Sequence, residues 1–470
     1  MAHCRVCKSM SSRVKLALCV AYQRIRENDR LAASMAAPKK VTANGLSGYS
    51  PSIAVGKGMK VRQSRKMLPY KNMWKSKMMT NLLVTVFVII AILISVYFIV
   101  ASRTDTFTGR WVAWKSSGVD DYLLFPFAAI KRPPSTFTFD NSNEDFPNRD
   151  ITYEYNGKTR TANLEALLEQ TNTTAFIVIK GDTILYENYF NGYQRDSIVT
   201  SFSIAKSITS LLIGMAIDDG YIQSLHEPVT QYIPELSQID PEYQNITLQH
   251  LLSMKSGIAF KDTDIPWHDK SKAYYHPYLR EVVTHLPLAE PPGKTFVYNA
   301  FNPIILGIVL ENATGQSVAE YFEARFWMRL GAEYDASWSL DSNEDKMAKM
   351  ESGFNARAID FAKIGRLVLH RGKWDGEQMI SAEWIENSTK IEAENLVPKF
   401  GGNVYYQNGW WIISPTARDK YTVFGWGHLG QYLFIFPDDD MVILRFGKEI
   451  GQVDSWRRIA QEIVGVVANK

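Results

Sequence analysis

The chain has 470 residues, 46% of them apolar and 21% charged, which is the composition of a folded protein with room for one large domain or two ordinary ones. Its formal charge of +3 hides a split: residues 1–81 hold 17 Lys and Arg against 2 acidic residues and carry +15, while the remainder carries −12. A mildly acidic body argues against nucleic-acid binding, which needs concentrated basic faces.

The basic tail contains all three cysteines, Cys4, Cys7 and Cys19. Cys4-x-x-Cys7 has neither a second pair nor nearby histidines, so its spacing argues against a zinc site. The body has no cysteine, which excludes a disulfide or a thiol nucleophile there. Residues 1–58 show no periodic pattern and suit a disordered cytoplasmic tail. A start codon placed too far upstream is the alternative, since Met59 and Met67 also precede the next element. That element is Leu82 to Ala101, twenty residues without a charge, long enough to span a bilayer. Arg62, Arg65, Lys66, Lys71, Lys75 and Lys77 come before it, so the positive-inside rule places the N-terminus in the cytoplasm and the body outside. A cleavable signal peptide would have a shorter apolar region and a small-residue cleavage site, so the pattern favours an uncleaved signal anchor.

Residues 102–150 read as a connector broken by Pro126, Pro133, Pro134 and Pro147. A compact domain is expected over 151–470. ITYEYNGKTRTA alternates around Asn156-Gly157, a hairpin signal, and residues 175–190 form a second hairpin turning at Gly181-Asp182. Residues 200–220 read as a helix ended by Asp219-Gly220. Residues 220–400 read as mainly helix and loop. Residues 421–447 return to strands around the PDDD turn, and a helix over 453–468 closes the chain. Strands from both ends with helices between them predict an α/β fold of the α+β type: an antiparallel sheet flanked by helices, with a helical insert lobe, preceded by one transmembrane helix.

The chemistry is concentrated at Ser203-Ile204-Ala205-Lys206. Residues i and i+3 share a helix face, so the serine hydroxyl and the lysine amine meet. A lysine in apolar surroundings loses proton affinity and serves as the base a serine nucleophile needs. The alternative is a capping serine beside an exposed lysine. A second match, Ser12-Arg13-Val14-Lys15, lies in the basic tail with no site around it and is a chance occurrence. Three further segments accompany Ser203: His250-Leu251-Leu252-Ser253-Met254-Lys255-Ser256-Gly257, Pro291 to Ala300 with Tyr298-Asn299, and Gly427-His428-Leu429-Gly430-Gln431 between two strands.

In order and spacing these four segments resemble the class C β-lactamase-related serine hydrolases, which include penicillin-binding D,D-peptidases, family VIII esterases and 6-aminohexanoate-dimer hydrolases. The similarity covers roughly residues 150–470 and is closest to the last branch, with the esterases beside it. It implies a β-lactamase/D,D-peptidase-like fold with Ser203 as nucleophile, Lys206 as its base and Tyr298 as the phenol that passes a proton to the leaving group. It implies an oxyanion hole from the backbone N–H groups of Ser203 and Gln431, and substrate binding by His428 and Gly430. His428 either bonds the substrate or holds Tyr298 in place. Trp410 and Trp411 resemble an aromatic pair of this branch, one of which lines the pocket, and Tyr275, with Tyr274, is placed over the cleft. Asp360 orders its own helix instead of doing chemistry. Two departures stand out. Ala300 replaces the asparagine of the Y-x-N pattern, and His428 replaces the lysine of K-T-G. Both put efficient β-lactam hydrolysis in doubt and favour another ester or amide.

The expected activity is a membrane-anchored hydrolase cleaving a small-molecule or peptide-like ester or amide through an acyl-Ser203 intermediate. No metal or organic cofactor is implied: the eight histidines include no H-x-H or H-E-x-x-H spacing. There is no G-x-S-x-G elbow, which argues against an α/β-hydrolase. A penicillin-recognising sensor that acylates once, or an inert scaffold of the same fold, is the alternative from a different class.

Overall fold

The computed structural model describes residues 71–142, 150–400, 402–417 and 419–468. The expectations for the tail, including Cys4, Cys7, Cys19 and Ser12 to Lys15, lie outside them, as does Pro147. The chain divides into two compact units, Met1–Ser102 and Arg103–Lys470. The first contributes helix α1, Lys71–Ser102. Its stretch Met78–Ser102 is the one helix among the described residues long and apolar enough to cross a membrane. Its large side chains stay bare, Phe87 at 71% and Leu83 at 64%, on every face. A helix of this length that is apolar all round has the length and composition of a membrane span.

The second unit is built on an eight-stranded sheet. Its strands in chain order are β1 Asp140–Asn141, β2 Thr173–Lys180, β3 Thr183–Tyr189, β4 Val404–Gln407, β5 Trp410–Ile413, β6 Thr422–Gly427, β7 Gln431–Phe436 and β8 Met441–Gly447. The spatial order is β4-β5-β6-β7-β8-β2-β3-β1, so strands from both ends of the body meet at β8 and β2. Every pairing is antiparallel except β1 with β3, which is parallel. The central strands are buried on both faces, which is why they read as unbroken apolar runs. The expected hairpin at Asn156-Gly157 forms, with both residues at positive φ as its tight turn requires.

Two helices cover one face of the sheet, α2 Ile204–Asp218 and α3 Ala358–Leu369, and α4 Trp456–Ala468 covers the other. A second, four-stranded sheet lies in the order Phe127–Ile130, Ala336–Ser339, Phe354–Arg357, Ile198–Thr200. Two of these strands and the small hairpin at 373–378 fall in the stretch read as helix and loop, and β4 lies next to it. Residues 103–142 also belong to this unit. They supply the helix Phe107–Trp114, one strand of the small sheet and β1. Arg110 of that helix is 5% exposed and bonds the carbonyls of Tyr275 and Asp341.

Candidate active site

Ser203 stands at the N-terminus of α2 with φ −67° and ψ −3°, and its side chain makes no capping bond. Its hydroxyl is therefore left for another partner. Lys206 Nζ, one turn on, lies 2.9 Å from Ser203 Oγ and 2.9 Å from the carbonyl oxygen of Glu351. Lys206 is 4% exposed, whereas Ser203 is half-buried and within reach of a ligand. A capping serine beside an exposed lysine is thus not what forms. Burial pulls the Lys206 pKa down to about 8, with Lys349 lowering it further and Glu351 and Asp262 opposing. Phe202, just before the serine, sits at φ +44°, a strained position for a large side chain, where the chain turns from the bond between Ser201 N–H and the Phe354 carbonyl into the helix.

Tyr298 comes from the loop before the helix Phe301–Thr314. Its ring centre is 4.9 Å from Lys206 Nζ and 5.6 Å from the Trp411 ring. Burial drives its pKa upward, so it stands as a neutral phenol near neutral pH, not as the phenolate a nearby cation would favour. The segment containing His250 fastens this loop. The Met254 carbonyl accepts from Val297 N–H at 2.8 Å, the Lys255 carbonyl accepts from Gly293 N–H at 2.7 Å, and Ser256 Oγ donates to Asn302 Oδ1 at 2.8 Å. That motif positions Tyr298 and brings no side chain to Ser203.

The turn between β6 and β7 forms the opposite wall. A Cβ on Gly427 would lie 2.4 Å from the Ser201 carbonyl oxygen, so only glycine allows the strand to approach this closely. His428 is exposed at the rim, and its ring packs edge-on against Phe202 at 5.5 Å, not against Tyr298. Crowding and Lys270 lower its pKa, while Asp264 opposes them. Gln431 is 1% exposed and opens β7 opposite Gly427, with its side-chain amide donating to the carbonyls of His428 and Gly447. The residues of this turn that abut Ser201 and Phe202 are therefore Gly427 and His428.

Other expected contacts are placed elsewhere. Gly430 is buried over Arg445, whose Nη1 donates to the Gly430 carbonyl at 2.8 Å. Trp410 and Trp411 are neighbours on β5, so they face opposite sides of the sheet. Trp410 is fully buried in the core under the helices, whereas Trp411 packs on Tyr298 at 5.6 Å and on Phe400 at 5.2 Å. Tyr275 is 5% exposed and donates to the Lys115 carbonyl at 2.6 Å, which makes it a core residue clamping the 103–118 segment, not a cover for the cleft. Tyr274 is half-buried and donates to Asp121 at 2.8 Å. Asp360 accepts from the N–H groups of Glu333 and Tyr334 and so orders a neighbouring loop, not its own helix alone.

Sequence reasoning missed Arg445, Lys349 and Glu351. Arg445 has no exposed surface, and beneath the β6–β7 turn it also bonds the carbonyls of Thr171 and Glu449. Gly430→Ala would place a Cβ 2.1 Å from Arg445 Nη1 at a residue with φ +83°. The expected result is a loss of about 1–3 kcal/mol in a denaturant titration, and an unchanged midpoint would show that the turn is not pinned by this contact.

The arrangement can pass a proton from Ser203 to Lys206 and present Tyr298 to a departing group. A family model described as β-lactamase matches residues 161–449. The 6-aminohexanoate-dimer hydrolase of Paenarthrobacter ureafaciens is 28% identical over 303 residues, which span 61% of this chain and 75% of that protein. Among solved structures, one from Bacillus anthracis assigned as a 6-aminohexanoate-dimer hydrolase superposes with a TM-score of 0.65 at 24% identity, over 76% of this chain and 94% of that one. A penicillin-binding protein from Bacillus halodurans superposes at 0.50 with 19% identity, over 65% and 99%. Those two structural likenesses speak for the fold, and the family match covers more than half of the chain: it belongs to the β-lactamase family of serine hydrolase-type proteins.

Proposed function

We propose that this chain is a membrane-anchored esterase or amidase that works through an acyl-Ser203 intermediate. The observation that carries this reading is the 2.9 Å contact between Ser203 Oγ and a buried Lys206 whose proton affinity has fallen to about 8. Neutral Lys206 takes the hydroxyl proton as Ser203 Oγ bonds to the substrate carbonyl carbon. The negative charge that develops on the carbonyl oxygen is met by the Ser203 N–H, a first-turn donor with no helical partner, and by an N–H of the Gly427–Gln431 turn. Tyr298 gives its proton to the leaving alcohol or amine and recovers one from Lys206. Water then releases the acyl group by the reverse path. His428 on the rim contacts the substrate. α1 anchors the enzyme with its N-terminus in the cytoplasm and residues 103–470 outside, in keeping with the basic residues before it.

The test uses the full-length chain in detergent with p-nitrophenyl butyrate. Many turnovers per chain, together with an acyl adduct trapped on the peptide containing Ser203, are the expected result. A single stoichiometric burst would replace this reading with that of a sensor, and an adduct on another residue would remove Ser203 from it.

A further inference from the structure

Lys206 has two partners, Ser203 and the carbonyl of Glu351, and the second belongs to a buried charged assembly that the mechanism above leaves unused. The side chains of Lys349 and Glu351 are 1% and 4% exposed and lie 2.8 Å apart. Lys349 Nζ also donates to the carbonyls of Tyr274 at 2.8 Å and Ala273 at 3.2 Å, so all three of its donors are used. Glu351 Oε1 accepts a second bond from Ser352 Oγ at 2.8 Å. Its other oxygen, Oε2, is buried and has no hydrogen-bond partner among the described residues. The backbone around the pair is equally fixed: the Lys349 carbonyl accepts from Gly353 N–H at 2.7 Å and from the Trp338 indole at 3.1 Å.

A buried ion pair is a poor way to gain stability, because desolvating two charges offsets most of their attraction. A residue pair held this tightly, one member of which supplies the backbone carbonyl that binds Lys206, has a better explanation in what it does to Lys206. Resting on the reading of Ser203 and Lys206 given above, we infer that Lys349 and Glu351 are positioning residues for Lys206, fixing its carbonyl partner and balancing the charge around its amine. Glu351 holds the proton on Lys206 and Lys349 loosens it, with Glu351 the stronger of the two. The other groups facing Lys206 are Asp262, which acts in the same sense as Glu351, the uncharged Tyr298 ring and the Ser203 hydroxyl.

The experiment is the pH profile of kcat/KM for the full-length chain and three variants, with p-nitrophenyl butyrate as substrate. Glu351→Gln removes the charge that favours protonated Lys206, so the rising limb moves to a midpoint lower by about half a pH unit or more, while the plateau falls about three- to tenfold. Glu351→Asp keeps the charge, so its midpoint stays near the parent's even if its plateau drops. Lys349→Met with Glu351→Gln leaves no buried ion unpaired and is the variant most secure in folding. Its midpoint lies between those of the parent and Glu351→Gln. A purely structural pair would lower the plateau in every variant and leave the midpoint where it was, and that outcome overturns the inference. Equal shifts in Glu351→Gln and Glu351→Asp would overturn it too. Ser203→Ala in the parent separates this failure from that of the hydrolase reading, since activity surviving there removes Ser203 itself.

Discussion

Lys206→Met lowers kcat by about 10³-fold with p-nitrophenyl butyrate and removes the pH dependence that the parent shows. The sign follows from the burial of the amine. Only neutral Lys206 accepts the Ser203 proton, and its pKa of about 8 leaves roughly one-tenth of the chains in that form at neutral pH. Activity in the parent therefore rises with pH, about tenfold per unit at first, and levels off above about 8. A parent profile that falls over this range would mean that protonated Lys206 is the active form and would exclude it as the base.

The same substitution separates chemistry from folding. An exposed lysine has a pKa of about 10.4, so the folded chain binds this proton more weakly than the unfolded one. The penalty of keeping the charge buried is complete below pH 8, and stability recovers as pH rises from about 8 towards 10.4. Methionine fills similar volume without the charge. The Lys206→Met chain should therefore melt no lower than the parent at neutral pH, and a clear fall in Tm would place the lost activity in a disturbed helix instead.

The two measurements bear on how much of this site is written locally in the sequence. Ser203 and Lys206 were legible because three residues of helix fix their distance, and the helix itself was marked by its apolar run and by Asp219-Gly220. The hairpin at Asn156-Gly157 and the strands on either side of His428 were legible for the same reason, since turn chemistry is local. The strands Ala336–Ser339 and Phe354–Arg357 were not. Each has four residues, nearly all buried, so neither alternation nor length distinguishes them from loop or helix. Prolines made 102–150 look like a connector, yet Arg110 and Phe127–Ile130 are claimed by residues more than two hundred positions away. Lys349 and Glu351 sit in KMAKMESG, which reads as a solvated charged turn, and only tertiary packing buries them. In the other direction, Trp410 and Tyr275 have the side chains of a binding site, and the sheet and the 103–118 segment draw them into the core.

Tyr298→Phe is expected to lower kcat by about 10²-fold on an alkyl ester or an amide and by much less on p-nitrophenyl butyrate. Burial keeps Tyr298 a neutral phenol, so what it offers the reaction is a proton for the leaving group, not a second base. A p-nitrophenolate departs readily without that proton, whereas an alkoxide or an amine anion does not. Phenylalanine keeps the ring that lies 4.9 Å from Lys206 Nζ and removes only the hydroxyl. The pH midpoint near 8 should therefore survive in Tyr298→Phe although the rate falls, because Lys206 keeps its burial and its bond to the Glu351 carbonyl. Equal losses on both substrates would mean that the phenol acts before the leaving group departs, by orienting Ser203. A midpoint displaced together with the rate would make Tyr298 part of the base itself. The ratio of the two losses thus assigns the proton that leaves Ser203 and the proton that reaches the product to one residue or to two.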